Sequence, residues 1–240
     1  MRRTARSTSH GHDARGKHGA SVAAVLAGAL AVGALAVGYV AFLLWPRWPA
    51  ASAAPDAPTL PVTVAGELFV VPPAAIRVPL QRHAGVHERL DLAFLWPSLD
   101  APDLTAKPVP SEDPPAPDRL FVTIAGADAT LPPAARLKTI YARYLADEQF
   151  ASGDGLVILN FRDGTPYQGE DLYVEAAAPE RFMPRCSRPC AGATPGTCLY
   201  ERRIGAADIM VRFPRDWLAD WRGVAGGIDR LIAQVRPAGS

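Results

Sequence analysis

The sequence predicts an α+β fold: an N-terminal single transmembrane helix, then an extracytoplasmic domain with a mostly antiparallel sheet and one or two packed amphipathic helices. Three observations predict it. Positions 19–45 carry no charge. From residue 60 onward, short stretches alternate apolar and polar side chains. Near the C-terminus, Trp217, Trp221, Val224, Ile228, Leu231 and Val235 step by fours and threes.

The chain opens on a polar stretch, 1–18, with His10, His12 and His18, read as a disordered cytosolic tail. The His10-x-His12 pair lacks the rigid frame that metal binding needs. The uncharged run 19–45 follows, driven by Leu, Val and Phe42. A bilayer core about 30 Å thick takes roughly 20 helical residues, so the run spans it with room for tilt. Tyr39, Trp45 and Trp48 fit an aromatic belt. Arg2, Arg3, Arg6, Arg15 and Lys17 precede the run and only Arg47 closely follows it. The positive-inside rule then places the N-terminus in the cytoplasm and the C-terminal domain outside. Arg-, Ala- and Pro-rich usage suggests a bacterium with a GC-rich genome, and hence an inner-membrane protein with a periplasmic domain. The alternative is a cleaved secretory signal, for which Ala51-Ser52-Ala53 has the small-x-small form. The apolar run is, however, nearly twice as long as a signal core of about 7–15 residues. The small-xxx-small pairs Ala27/Ala31 and Ala34/Gly38 are what so Ala-rich a helix gives by chance.

Residues 46–58 are rich in Pro and Ala and read as an extended tether. A small β subdomain is expected over 59–99. Val62, Val64, Leu68 and Val70 alternate around Gly66, a strand pair about a tight turn. Leu90, Leu92 and Phe94 alternate with Arg89, Asp91 and Ala93, a half-buried strand closed by Trp96-Pro97. Residues 100–118 hold six prolines and five acids and read as a linker between subdomains.

An α+β subdomain is expected over 119–240. Leu120, Val122 and Ile124 mark a strand. A helix is expected over 132–146, with Pro132 in its first turn and Leu137, Ile140, Tyr141, Tyr144 and Leu145 on one face. Leu156–Phe161 is nearly all apolar and reads as a central strand. A strand over 171–176 faces Leu172 and Val174 inward, and 198–203 and 207–213 pair around Gly205. In the last helix Pro214 stands at the start, with Asp216 and Asp220 in the first turns. Gly226-Gly227 interrupts its apolar stripe at roughly 1 kcal/mol per glycine. One reading of the stripe is a seal over a sheet face; the other makes Trp217 and Trp221 anchors for a docking partner. Val62-Thr-Val-Ala-Gly66 and Val122-Thr-Ile-Ala-Gly126 each precede Pro-Pro-Ala-Ala by the same interval. Either 62–121 and 122–181 are a duplication, or Pro and Ala are merely abundant.

Charge and motifs exclude several functions. Residues 56–240 carry 19 Lys and Arg against 23 Asp and Glu, near −4, with no basic stripe, so nucleic acid is not an expected partner. The sequence has no nucleophile elbow, zinc-protease motif, phosphate-binding loop or dinucleotide fingerprint. No cofactor is expected. The three cysteines, Cys186, Cys190 and Cys198, lie close together. In an oxidising compartment they give one disulfide and a leftover thiol; Cys186–Cys198 would close the base of a Pro/Gly-rich loop. The sharper alternative is a thiol or metal chaperone using all three. His83 and His87 are the histidines of the exported part, and a hydrolase would use one of them with a carboxylate. Asp147-Glu148 and Glu170-Asp171 are candidate carboxylate pairs, normally solvated. The expected role is a non-enzymatic envelope module, held by the bilayer through 19–45 and engaging another envelope protein.

Overall fold

A computed structural model describes residues 14–44, 53–54, 56–104, 118–127, 130–188 and 196–237, with side chains of the first segment described from 25 to 43. The expectations for 1–13, Trp45, Trp48, most of the tether, most of the stretch 100–118 and Cys190 lie outside these residues. The chain divides into two units, Met1–Trp48 and Pro49–Ser240.

The first unit is a helix, α1 (Ala14–Leu44). It begins inside the stretch expected to be a tail, so Arg15 and Lys17 belong to its first turns. Within it, Val25–Leu43 has a mean hydropathy of 2.2, and its described side chains are exposed. By length and composition this helix can cross a membrane.

The second unit is α+β. Strands β1 (Leu60–Val64) and β2 (Glu67–Val71) form a hairpin, and β3 (Gly85–His87) adds to β1 in parallel. The hairpin turn puts Ala65 at φ 51° and Gly66 at φ 85°. This is the doubly left-handed geometry whose twist suits two-residue hairpins, and glycine supplies half of it without strain. The larger sheet contains β4 (Arg89–Leu95), β5 (Arg119–Gly126), β6 (Leu145–Ala151), β7 (Leu156–Phe161), β8 (Glu170–Glu175), β9 (Arg185–Ser187), β10 (Thr197–Ile204) and β11 (Ala207–Pro214). Its order is β4-β5-β11-β10-β9-β8-β7-β6, antiparallel at every pairing.

That order corrects the expected boundary at 100–118. Strand β4 precedes that stretch and β5 follows it, yet they pair along their length, Leu90 opposite Ile124 and Phe94 opposite Leu120. Both sides also feed one core, in which Val62, Val64, Phe69 and Val71 meet Leu92, Phe94, Val122, Ile124, Ile209 and Val211. The residues on either side of this stretch therefore belong to one sheet and one core.

Helix α3 (Trp221–Val235) lays Ile228, Leu231, Ile232 and Val235 on the sheet against Leu92, Phe94, Val122 and Ile209. Its start differs from expectation. Residues Arg215–Asp220 form a 3₁₀ segment, and Asp220 caps α3 by accepting from the Gly223 N–H at 3.1 Å. Gly227 is a packing requirement. A Cβ there would overlap the Trp96 indole, with Cη2 2.8 Å away.

The helix expected over 132–146 is α2 (Pro133–Thr139) plus a 3₁₀ turn at Tyr141–Arg143. Leu145 already belongs to β6, the edge strand. Tyr141, Phe161, Leu172, Val174 and Met183 make a second apolar cluster under α2, on the opposite face of the sheet. Strand β7, expected at the centre, is next to the edge. Its apolar run serves both faces: Ile158 packs on the main core, and Val157 and Leu159 on the second cluster. Strand β8 likewise buries Asp171 and Tyr173 as well as Leu172 and Val174. The possible duplication is not mirrored in the strands. Glu67–Val71 is β2, whereas the described residues of the matching 127–131 stretch form no strand.

Candidate functional site

The cysteine segment, where the sequence concentrates its chemistry, is held by a buried ionic clamp. Cys186 on β9 stands opposite Cys198 on β10, with Cα atoms 3.9 Å apart, and the two are joined as a disulfide. Both are fully buried. The bond closes the base of the loop between them, where the Thr197 N–H also donates to Ser187 Oγ at 2.9 Å. With two of the three sulfurs bonded to each other, the three-thiol chaperone site is not formed.

The next residue across the sheet from Cys186 is Asp171 on β8, 5% exposed. A bare carboxylate there would be costly to bury, and two arginines neutralise it. Arg188 Nε donates to Oδ1 at 2.7 Å, and Arg215 Nη2 lies 3.2 Å from Oδ2. Each arginine also grips backbone. Arg188 Nη2 donates to the Phe161 carbonyl at 2.8 Å, and Arg215 Nη1 to the Ser187 carbonyl at 2.9 Å. The Arg215 N–H donates to the Gly196 carbonyl, at the other end of the loop, at 2.8 Å. Arg215 Nη2 also meets Tyr173 Oη at 2.5 Å. Burial pushes the Tyr173 phenol above its ordinary value, against the pull of Arg215, so it stays protonated at neutral pH. The ensemble ties β7, β8, β9 and the 3₁₀ segment to the loop base. Its chemistry is that of a fixed clamp.

Glu170, Asp171's neighbour, points to the other face because side chains alternate along a strand. There it pairs with Arg185 at 2.7 Å. The adjacent acids therefore never meet, and cannot share a proton as an acid–base pair. Asp147 and Glu148 are exposed on the β6 edge. The histidines stack on one another, with ring centroids 4.3 Å apart. His87 is nearly buried, and its Nε2–H donates to the His83 carbonyl at 3.0 Å. Among the described residues no group of three or more His, Cys, Asp or Glu is placed to hold a metal ion.

Trp221 is not available as a docking anchor. It is 3% exposed and stacks on Phe182 at 5.6 Å, because the first turn of α3 faces the core. Trp217 is half-buried between Trp96, at 5.1 Å, and Phe213, at 6.4 Å. Arg188 and Arg215 are not among the site residues expected from the sequence. The available signal was limited to Arg188, two residues after Cys186, and a strand carrying two acids; Arg215 lies far along the chain from Cys198.

No family model matches the chain, and no curated protein matches it. Two solved structures are similar. One is an immunity protein of the Stenotrophomonas maltophilia type IV secretion system, 14% identical, covering 76% of this chain and 96% of that one with a TM-score of 0.49. The other is the iron-regulated outer membrane lipoprotein FrpD of Neisseria meningitidis, 9% identical, covering 78% and 97% with a TM-score of 0.42. At these identities no site residue carries over.

Proposed function

We propose that this chain is a single-pass envelope protein of the bacterial inner membrane, its N-terminus cytoplasmic and its C-terminal domain periplasmic. The domain's work is non-enzymatic: it engages another envelope protein. The observation that carries this reading is the clamp. Asp171, Arg188, Arg215 and the Cys186–Cys198 pair are consumed in fastening strands and a loop base. Such a frame suits a rigid binding module. The apolar helix and the disulfide support export, since a structural disulfide persists in an oxidising compartment.

The test is an alkaline phosphatase fused after Ser240, an enzyme that folds only when exported. High activity, with one free thiol per denatured chain, is the expected result. Activity confined to a cytosolic reporter, or three titratable thiols in protein isolated without reductant, overturns the reading.

A further inference from the structure

The larger sheet has one face that α3 and the small sheet cover and one that α2 covers only in part. On the second face, strand alternation and register bring Ala93, Phe121 and Arg212 into one row across β4, β5 and β11. Arg77, which hydrogen-bonds the β4 edge through the Asp91 carbonyl, reaches over this row. Its Cζ lies 4.6 Å from the Phe121 ring centroid, and the small Ala93 leaves it room. Phe121 is 37% exposed, and Arg77 and Arg212 are exposed.

Their neighbours on this face show why this matters. Arg89 pairs with Asp91, Arg119 with Asp118, Arg136 with Glu201, Arg185 with Glu170 and Arg203 with Asp208. Arg77 and Arg212 have no carboxylate within ion-pair distance among the described residues, and they flank the exposed ring. Residues 56–240 are net negative, whereas this row carries two positive charges without an ion-pair partner among the described residues. Arginine beside an aromatic ring is the composition of binding hot spots, and a planar guanidinium already stacked on a ring is oriented to receive a carboxylate.

We propose that this face docks an acidic protein segment. Arg77 and Arg212 receive two of its carboxylates, and Phe121 takes an apolar side chain between them. This deepens the envelope-module reading by naming its surface and its partner's chemistry. A lipid surface fits less well, because anionic membranes are held by clusters of about 4–8 basic residues, whereas this row offers two on a domain that is net negative.

The test uses the full chain in detergent micelles and a short fluorescent Ser-flanked Glu-Leu-Glu peptide. The same peptide with Gln or Lys for Glu, and phosphatidylglycerol vesicles, serve as comparisons. The Glu peptide is expected to bind, to weaken as salt is raised, and to lose about tenfold in affinity in the Arg77→Ala/Arg212→Ala variant. Phe121→Ala reports the apolar contact separately, and an unchanged melting temperature shows that each variant is folded. Equal binding of the Gln peptide, no effect of the double variant, or arginine-dependent binding of the vesicles alone overturns the proposal. A cytosolic domain in the fusion experiment would remove the envelope reading and leave this surface standing.

Discussion

On one face of the larger sheet, Leu90, Leu92 and Phe94 line up with Leu120, Val122 and Ile124 and then with Ile209 and Val211, all buried. On the other, the same strands present Asp91, Ala93, Phe121, Thr123, Met210 and Arg212, and the charged members are paired or exposed. The two faces share a backbone and differ only in side-chain parity. Across β4, β5 and β11 one side of each strand is packed into the main core and the other is largely exposed or ion-paired, whereas β7 and β8 pack on both sides. The clamp at Asp171 is the exception, a charged centre on the covered face, where β8 and β9 run beyond the apolar rows.

The contrast breaks most sharply at its apolar side. Phe94→Ala, at a fully buried position, is expected to cost about 3–5 kcal/mol in denaturant titrations of the full chain. Arg212→Ala on the open face should stay within about 0.5 kcal/mol. A similar loss at both sites would end the distinction between the faces.

The clamp comes next. Asp171→Asn leaves two arginines facing a neutral amide and should cost about 3 kcal/mol, measured the same way, at the low end for a broken buried pair because both guanidiniums keep some solvent. Replacing Cys186 and Cys198 by alanine should cost a similar amount, about 3 kcal/mol, from the loop of twelve residues that the bond closes.

Two adjacent glycines sharpen the comparison within one helix. Gly227→Ala drives a methyl into Trp96 and is expected to lower stability by about 1–3 kcal/mol. At Gly226 the nearest group to a new Cβ is the Arg230 guanidinium at 3.6 Å, the far end of a flexible side chain. Gly226→Ala should therefore raise stability by up to about 1 kcal/mol. Thermal melts of the two variants should move in opposite directions.

The smallest effect is one of pH, on the open face. Hydrogen bonds from Arg89 hold the Asp91 carboxyl below its ordinary value; burial opposes them, and the Thr123 hydroxyl, donating at 2.9 Å, assists. A carboxyl lowered by folding adds stability above its unfolded value, near 4, and loses it as pH falls through the folded value. Asp91→Asn should flatten the drop in melting temperature below about pH 4.

Much of the fold was legible because its signals are periodic. Strands β4, β5 and β11 alternate, the hairpin at Gly66 carries its turn residue, and α3 carries one apolar stripe on either side of Gly226-Gly227. The three-residue strands β3 and β9 are too short to show a period. Strand β6 reads Leu-Ala-Asp-Glu-Gln-Phe-Ala, and its register shifts between Leu145 and Gln149, so its pattern resembles the end of the preceding helix. The clamp was hidden because Asp171, Arg188 and Arg215 are brought together by strand order, which no local spacing encodes.

By itself the sequence determined what local physics controls: a helix apolar enough for lipid, the parity of the strands, and a last helix with one greasy side. Tertiary structure alone decided which strands are neighbours across the Pro/acid-rich stretch, and that Gly227 is demanded by a ring reaching it from Trp96. It also decided that Arg77 and Arg212, far apart in the chain, meet at Phe121 with no carboxylate in ion-pair range among the described residues. Those outcomes depend on distances between residues far apart in the chain, and such distances exist only once the sheet has closed its order.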